Sequence, residues 1–133
     1  MKVRDLMTGH PQTIDPTDTL AVARERMDRG GFRRLPVVDG GGRLIGILTD
    51  RDLREHAGHL PDTRVSGAMV EPAMSVAPDE SAEDVAARLL FEQVGGYPVV
   101  DPSGALVGMI TATDLLRGLL RESRSSRSDG RGA

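Results

Sequence analysis

Apolar and polar positions follow one pattern that occurs twice along the chain. In each occurrence, apolar side chains at helical spacing are followed by two short apolar runs that flank a polar, Gly-containing turn. Spacings of three and four residues predict a helix with one buried face, and the two runs predict a hairpin. The predicted helical stripes are Leu20, Ala23 and Met27 in the first occurrence, and Ala82, Val85, Ala86, Leu89 and Leu90 in the second.

The two occurrences are copies of one another. Residues 35–39 (LPVVD) recur as residues 97–101 (YPVVD), and residues 44–49 (LIGILT) recur as residues 106–111 (LVGMIT). The offset is 62 residues each time, which indicates a duplication. Because short strands near residues 13–15 and 75–77 precede the helices, each copy is predicted to be a β-α-β-β-α unit.

Each unit is small for independent stability, so the copies are expected to pack on each other. We therefore predict an α+β fold in which two β-α-β-β-α repeats, residues 1–62 and 63–122, form a pseudo-two-fold pair. Residues 123–133 are mostly Ser, Arg and Gly, a composition that predicts a disordered tail.

Composition excludes several classes of function. The chain has no cysteine, which excludes disulfides, thiolate metal sites and thiol nucleophiles. It has only one Tyr, two Phe and no Trp, and a net charge of −3, so that nucleic-acid binding is not expected. Without a long apolar run or the apolar segment of a signal peptide near Met1, we expect no membrane contact and a cytoplasmic location.

A Thr-x-x-Asp motif directly follows the second apolar run of each copy. Thr49 and Asp52 form it in the first copy, and Thr111 and Asp114 form it in the second. One interpretation is a helix cap, with Thr at the N-cap and the acid three residues later. The other is a ligand site, because a helix start suits a phosphate and an Asp there can accept ribose hydroxyls. Both interpretations are compatible and stay open.

The tandem pattern of hydrophobic-Pro-Val-Val-Asp followed by Gly-hydrophobic-hydrophobic-Thr-x-x-Asp resembles a pair of CBS (cystathionine-β-synthase) domains, a Bateman module. The resemblance covers roughly residues 1–120. It implies two sites in the cleft between the repeats for AMP, ADP, ATP or an S-adenosyl compound, bound as a regulatory ligand, with no other cofactor. It also implies these ligand-binding residues: Asp52, Thr49, Arg51, Arg33, Arg34, Ile47, Thr13 and Ile14 for one site, and Asp114, Thr111, Thr113, Met109, Gly96, Tyr97, Ser75 and Val76 for the other.

The two implied sites differ in charge. Arg33 and Arg34 would flank the phosphates of the first site, whereas Gly95 and Gly96 occupy the equivalent positions of the second copy. A solvated loop pair is the alternative interpretation of the two arginines. Because sites of this family also borrow residues from the opposite repeat, the arginines could serve both sites.

Other candidate chemistry is weaker. His56 and His59 lie beside Glu55 at a spacing that could place two imidazoles on one helix face, but no third metal ligand is evident, so solvated histidines are favoured. No Ser-His-Asp arrangement or Walker-type loop is present, so we expect no enzyme activity. A role in DNA binding would depend on the short tail with Arg121, Arg124, Arg127 and Arg131, which also carries two acidic residues.

The last predicted helix carries more leucines than one buried face requires. Core packing would account for Leu115 and Leu119, while Leu116 and Leu120 suggest a partner helix and hence a homodimer. Two functions remain: a stand-alone regulatory module that binds adenosine nucleotides and signals to an unknown effector protein in trans, or a dimeric CBS-fold scaffold without a nucleotide.

Overall fold

The secondary structure follows the predicted repeat, with one additional helix and strand near the N-terminus. The computed structural model of the protein describes residues 1–71 and 73–130. Two 3-10 turns, Leu60–Asp62 and Val65–Gly67, lie between the copies. The elements are α1 (Val3–Leu6), β1 (Thr8–Gly9), α2 (Leu20–Gly30), β2 (Arg34–Val38), β3 (Leu44–Thr49), α3 (Asp50–Glu55), α4 (Ala82–Glu92), β4 (Gly96–Val100), β5 (Leu106–Thr111) and α5 (Ala112–Gly130).

The predicted helical stripes are buried, with one exception. Leu20, Ala23 and Met27 of α2 are fully covered, and the N-cap Thr19 accepts a hydrogen bond from the Val22 amide. In α4 the buried residues are Ala82, Val85 and Leu89, and the half-buried Ala86 packs against them. The prediction for Leu90 is wrong, because this side chain is 81% exposed. It follows Leu89 directly and therefore lies about 100° around the helix from the buried stripe.

The apolar runs form the predicted hairpin strands. β2 and β3 pair antiparallel, with Pro36 opposite Ile47. β4 and β5 of the second copy form a three-stranded sheet with β1 of the first copy, in the order β1-β5-β4. The strands predicted near residues 13–15 and 75–77 are reduced to single parallel bridges, from Ile14 to Val37 and from Val76 to Val99.

The compact units of the chain are assembled from segments of both sequence copies. Unit 1 consists of residues 1–10, 75–100 and 107–133, and unit 2 consists of residues 11–74 and 101–106. Each unit thus combines the N-terminal segment of one sequence copy, residues 1–10 or 63–74, with most of the other copy. The two repeats are exchanged at their N-terminal ends.

Equivalent backbone contacts in the two units account for this exchange. In unit 1, β1 pairs with β5, so that Thr8 lies opposite Met109. In unit 2, Val70 forms the equivalent bridge with Ile47. Equivalent methionines also lie against equivalent glycines in the two units. A Cβ on Gly108 would lie 2.8 Å from the sulfur of Met7, and a Cβ on Gly46 would lie 2.7 Å from the sulfur of Met69. Glycine is required at both positions because the exchanged segment passes so close.

Each unit has its own aliphatic core. The core of unit 2 surrounds Leu20, Met27, Leu35 and Leu48, and it includes Leu53 of α3. The core of unit 1 surrounds Val3, Val85, Val99 and Ile110, and it includes Leu115 of α5.

Helix α5 differs from its prediction in two ways. Leu119 is 57% exposed and not part of the core, because α5 packs on α1 through Gly118, where a Cβ would lie 2.6 Å from Leu6. The helix also continues through Gly130 and so covers residues 123–130, for which composition predicts disorder. The remaining residues of that tail, 131–133, lie outside the described part of the chain. Among the described residues, no helix combines the length and the apolar character needed to cross a bilayer.

Candidate functional site

The first Thr-x-x-Asp motif forms a reciprocal cap at the corner between β3 and α3 in unit 2. Asp52 Oδ2 accepts hydrogen bonds from the backbone N–H of Thr49 at 2.8 Å and from its hydroxyl at 2.9 Å. The Thr49 hydroxyl accepts in turn from the Asp52 amide at 3.3 Å. Asp52 is only 9% exposed, and the bonds hold it in a fixed orientation.

The second motif repeats this geometry at the corner between β5 and α5 in unit 1. Asp114 Oδ2 accepts from the Thr111 amide at 2.9 Å and from the Thr111 hydroxyl at 3.0 Å. The Asp114 amide donates to the same hydroxyl at 3.2 Å, and Asp114 is 7% exposed. The helix-cap interpretation of both motifs is therefore correct.

Capping uses only one oxygen of each carboxylate. Within the described part of the chain, Oδ1 of Asp52 takes part in no hydrogen bond or ion pair, and Oδ1 of Asp114 has only Arg117 Nη1 at 3.9 Å. Neither Oδ1 atom is a fully buried oxygen that lacks a hydrogen-bond partner. Each can therefore accept a hydrogen bond from a ligand hydroxyl while the cap stays intact.

The arginines expected near the first site lie in different surroundings. Arg34 is half-buried, and burial lowers the pKa of its guanidinium. Arg33 is exposed directly before β2, where its backbone carbonyl accepts a hydrogen bond from the Asp50 amide at 2.8 Å. Arg51 pairs with Glu55 at 3.4 Å, and 81% of its side chain is exposed.

A neighbouring polar cavity of about 470 Å³ in unit 2 is lined by Arg24, Phe32, Arg33 and Arg54. Arg24 donates to Asp50 Oδ1 at 2.9 Å, and this hydrogen bond is the main cause that holds the pKa of Asp50 below its usual range. Asp50 is thus committed to an ion pair beside the corner.

Gly96 of the second copy has no room for a side chain. A Cβ on Gly96 would lie 2.7 Å from the backbone oxygen of Ile110, so β4 can approach β5 only without a side chain. The next residue, Tyr97, is buried, and its hydroxyl donates to Glu92 at 2.6 Å. Burial and Glu92 raise the pKa of Tyr97. Its ring lies 4.7 Å from the Arg88 guanidinium.

The remaining expected site residues lie on or next to the strands. Ile47 and Met109 are half-buried, and Ile47 exchanges backbone hydrogen bonds with Val70 at 3.0 and 2.9 Å. Thr113 is exposed on the first turn of α5. The buried Ile14 and Val76 each use their backbone N–H and C=O in bridges, while Thr13 and Ser75 are half-buried beside them. The carbonyl of Thr13 accepts from Arg26 at 2.6 Å.

One group of residues was missed by the sequence reasoning. Arg117, Arg121 and Arg124 line a cavity of about 450 Å³ in unit 1 together with Asp114 and Thr8. Their spacing of four and three residues was visible in the sequence and places them on one helix face. No group of three His, Asp or Glu side chains suited to a metal ion occurs in residues 1–71 and 73–130. His56 Nδ1 lies 2.9 Å from the carbonyl of Asp52.

Comparison with known proteins agrees with the repeat. The CBS domain family matches residues 3–59 and again residues 65–121. A CBS domain-containing protein of Dictyostelium discoideum is 35% identical over 132 residues, which span 90% of this chain and 91% of that protein. Inosine-5'-monophosphate dehydrogenase of Escherichia coli is 33% identical over 121 residues, and the chain spans only a quarter of that enzyme's length.

A solved structure shows the same fold with a ligand. The crystal structure of CBSX2, an Arabidopsis thaliana protein, in complex with AMP has a TM-score of 0.84 and 26% identity. The match covers 92% of this chain and 98% of that one. Two family matches that together cover most of the sequence, each ending after its own Thr-x-x-Asp corner, show that the chain belongs to the CBS domain family as a tandem pair.

Proposed function

We propose that the protein is a regulatory module that binds an adenosine nucleotide or an S-adenosyl compound at its two Thr-x-x-Asp corners. The observation that carries this proposal is the pair of buried carboxylates, Asp52 and Asp114, held in the same geometry with one oxygen uncommitted. The similarity to CBSX2, whose structure contains AMP, supports the choice of ligand.

The cap explains why the corner is rigid but not why an aspartate occurs twice. A Glu is the usual partner in a capping box, and either acid would stabilise the helix start. The shorter side chain of Asp keeps Oδ1 close to the end of the strand. In this proposal that oxygen accepts a ribose hydroxyl, and Thr49 or Thr111 keeps the carboxylate in position.

Regulation follows from differential affinity. A ligand that binds one arrangement of the protein more tightly than another shifts the population towards it, and the surface offered to an effector protein changes accordingly. The similarity to the dehydrogenase covers only a quarter of that enzyme, so its chemistry is not part of this proposal. We propose signalling to a separate effector and no reaction at the corners.

A thermal-shift panel tests the ligand class. AMP, ADP, ATP, S-adenosylmethionine and NAD are each added to the wild type and to the Asp52→Asn/Asp114→Asn protein. Binding to the native state should raise the melting temperature of the wild type by several degrees at saturating ligand, and the double variant should lose most of that shift. Absence of a shift with every compound would favour the alternative function, a scaffold that keeps the fold without a nucleotide.

An apolar face on unit 1 supports a homodimer. Leu90, Phe91, Leu116, Leu119 and Leu120 are each more than half exposed. An apolar groove of about 320 Å³ between α4 and α5 is lined by Leu90, Leu115 and Leu119. Several exposed large apolar side chains beside an apolar groove are typical of an interaction site. We propose that a second copy of the chain covers it, in agreement with the leucine pattern of α5.

A further inference from the structure

The cavity at the unit 1 corner contains a feature that the unit 2 corner lacks. Its walls are α5 on one side and the end of α1 with β1 on the other. The two walls lie close because Gly118 leaves no side chain between α5 and Leu6. The buried Asp114 stands at the start of α5, and Arg117, Arg121 and Arg124 continue along the same wall.

The arginine row belongs to this unit alone. The equivalent positions of the first copy, 62 residues earlier, are Glu55, His59 and Asp62, which provide two acids and no arginine. In unit 2 the helix after the corner ends at Glu55, whereas α5 continues through Gly130. The row is therefore a separate addition to the duplicated corner.

Within the row, the contacts to acidic groups are weak. Arg117 Nη1 lies 3.9 Å from Asp114 Oδ1 with 71% of its side chain exposed. In the described residues, Arg121 and Arg124 form no ion pair. Their guanidinium groups are exposed and can turn towards an anion in the cavity.

The arginines of the cavity lie along α5, and its two acids are Asp114 on that helix and Asp5 on the opposite wall, where Asp5 Oδ2 accepts a hydrogen bond from the Lys2 amide at 2.9 Å. Asp114, at one end, favours neutral hydroxyl groups and repels a phosphate. The arginines extend from there over about 10 Å of helix, at a rise of about 1.5 Å per residue. Guanidinium groups bind phosphate oxygens in bidentate pairs. A row of three suits a chain of phosphates better than a single one, since a single phosphate reaches only part of the row.

We propose that the unit 1 corner selects a nucleoside di- or triphosphate, with sugar hydroxyls at Asp114 and the phosphate chain along Arg117, Arg121 and Arg124. This inference rests on the proposed function and specifies how many phosphates the preferred ligand carries. It also supplies the positive charge that Gly95 and Gly96 cannot provide.

Calorimetry in magnesium-free buffer tests the row. Adenosine, AMP, ADP and ATP are titrated into the Asp52→Asn protein, so that the heat comes from the unit 1 corner. Affinity should rise with each added phosphate. In the same background, the triple variant Arg117→Gln/Arg121→Gln/Arg124→Gln should bind ATP roughly 10- to 100-fold more weakly. Its affinity for adenosine should change by less than about threefold.

The matched control removes the same charge elsewhere. Arg4, Arg29 and Arg64 are exposed and line none of the cavities described above, so their triple Gln variant should bind ATP as the Asp52→Asn protein does. An equal loss of affinity for ATP in both triple variants would overturn the inference, because it would show only an effect of net charge.

Further outcomes separate this inference from the proposed function. Equal affinity for adenosine, AMP and ATP would overturn the role of the row while adenosine binding remained. Inorganic tripolyphosphate that binds as tightly as ATP, unaffected by Asp114→Asn, would overturn the nucleoside part. No binding of any nucleotide would overturn both proposals.

Discussion

Each unit contains its own Thr-x-x-Asp corner, and the two corners have the same geometry but different surroundings. Thr49 with Asp52 and Thr111 with Asp114 form the same three hydrogen bonds, with equivalent distances that differ by about 0.1 Å. Unit 2 carries arginines before its corner, at Arg33 and Arg34, whereas unit 1 has glycines there and carries its arginines after the corner, on α5.

This difference shows which parts of the duplicated unit are constrained. The corner is fixed by backbone hydrogen bonds, and a changed side chain would leave a buried donor or acceptor without its partner. Charged side chains at exposed positions can change without leaving a buried donor or acceptor unpaired. In our proposal the two corners therefore bind the same sugar group and select different numbers of phosphates.

The largest expected effect concerns the exchanged segments. Gly108→Ala should lower the free energy of unfolding by about 2–4 kcal/mol, because the new Cβ would lie 2.8 Å from the backbone oxygen of Thr8. Gly46→Ala should cost less, about 1–3 kcal/mol, since the backbone oxygen of Val70 lies at 3.1 Å. Urea unfolding measures both.

Gly40→Ala is the control for these variants, because nothing lies within 4 Å of its new Cβ. A Gly108→Ala protein as stable as the Gly40→Ala protein would contradict the pairing of β1 with β5.

The apolar face is the next difference, since it lies entirely in unit 1. Leu116→Glu places a charge on the exposed side of α5 and should convert a dimer into a monomer at micromolar concentration. Light scattering coupled to gel filtration measures the mass. Met74→Glu, a change at another half-exposed apolar residue in unit 2, should leave the dimer intact. A wild type that is monomeric would refute the dimer.

Removal of the cap should affect both units alike. Thr111→Val and Thr49→Val each delete a hydroxyl that accepts one hydrogen bond and donates another, and each should cost about 1 kcal/mol of stability. Thr113→Val is the matched control, because Thr113 is an exposed residue on the first turn of α5, the helix that Thr111 caps. Clearly unequal costs at Thr49 and Thr111 in chemical denaturation would show that the corners are not equivalent.

The smallest effect is a pH dependence confined to unit 2. The hydrogen bond from Arg24 lowers the pKa of Asp50, so the stabilisation is fully present above the usual pKa of an aspartate, about 4, and is lost as the pH falls through the lower folded value. Asp50→Asn should therefore be slightly less stable than the wild type at pH 7 and equal to it in strong acid. Denaturation curves at several pH values measure this difference, and a constant difference down to pH 2 would contradict the ion pair.

Local features of the fold could be predicted from the sequence. The stripe of Leu20, Ala23 and Met27 has helical periodicity, and the Thr-x-x-Asp motif predicts its own cap, because both depend on residues within one or two turns. Because the two apolar runs occur in both copies, the repeat also supported the prediction that the runs of each copy pair as a hairpin. The exposure of Leu90 and Leu119 required the packing of α4 and α5, since adjacent leucines offer more than one possible buried face.

The exchange of the N-terminal segments could not be predicted in this way. β1 consists of only two residues, and its pairing with β5 joins positions about 100 residues apart. No periodicity indicates such a contact, although Met7 and Met69 share the repeat offset. Arg121 and Arg124 were visible as part of a basic tail, but the place of the arginine row beside Asp114 depends on Gly118 and Leu6, which approach only in the folded protein.

Calorimetric titration with AMP tests the central claim most directly. The wild type should bind AMP, and Asp52→Asn and Asp114→Asn should each remove one binding event, because the amide group replaces an acceptor by a donor. Asp84→Asn is the matched control, since Asp84 also lies three residues after the N-cap of a helix, Ser81, but is exposed and outside the corners. Wild-type heats retained in both corner variants, or lost equally in Asp84→Asn, would contradict binding at the two corners.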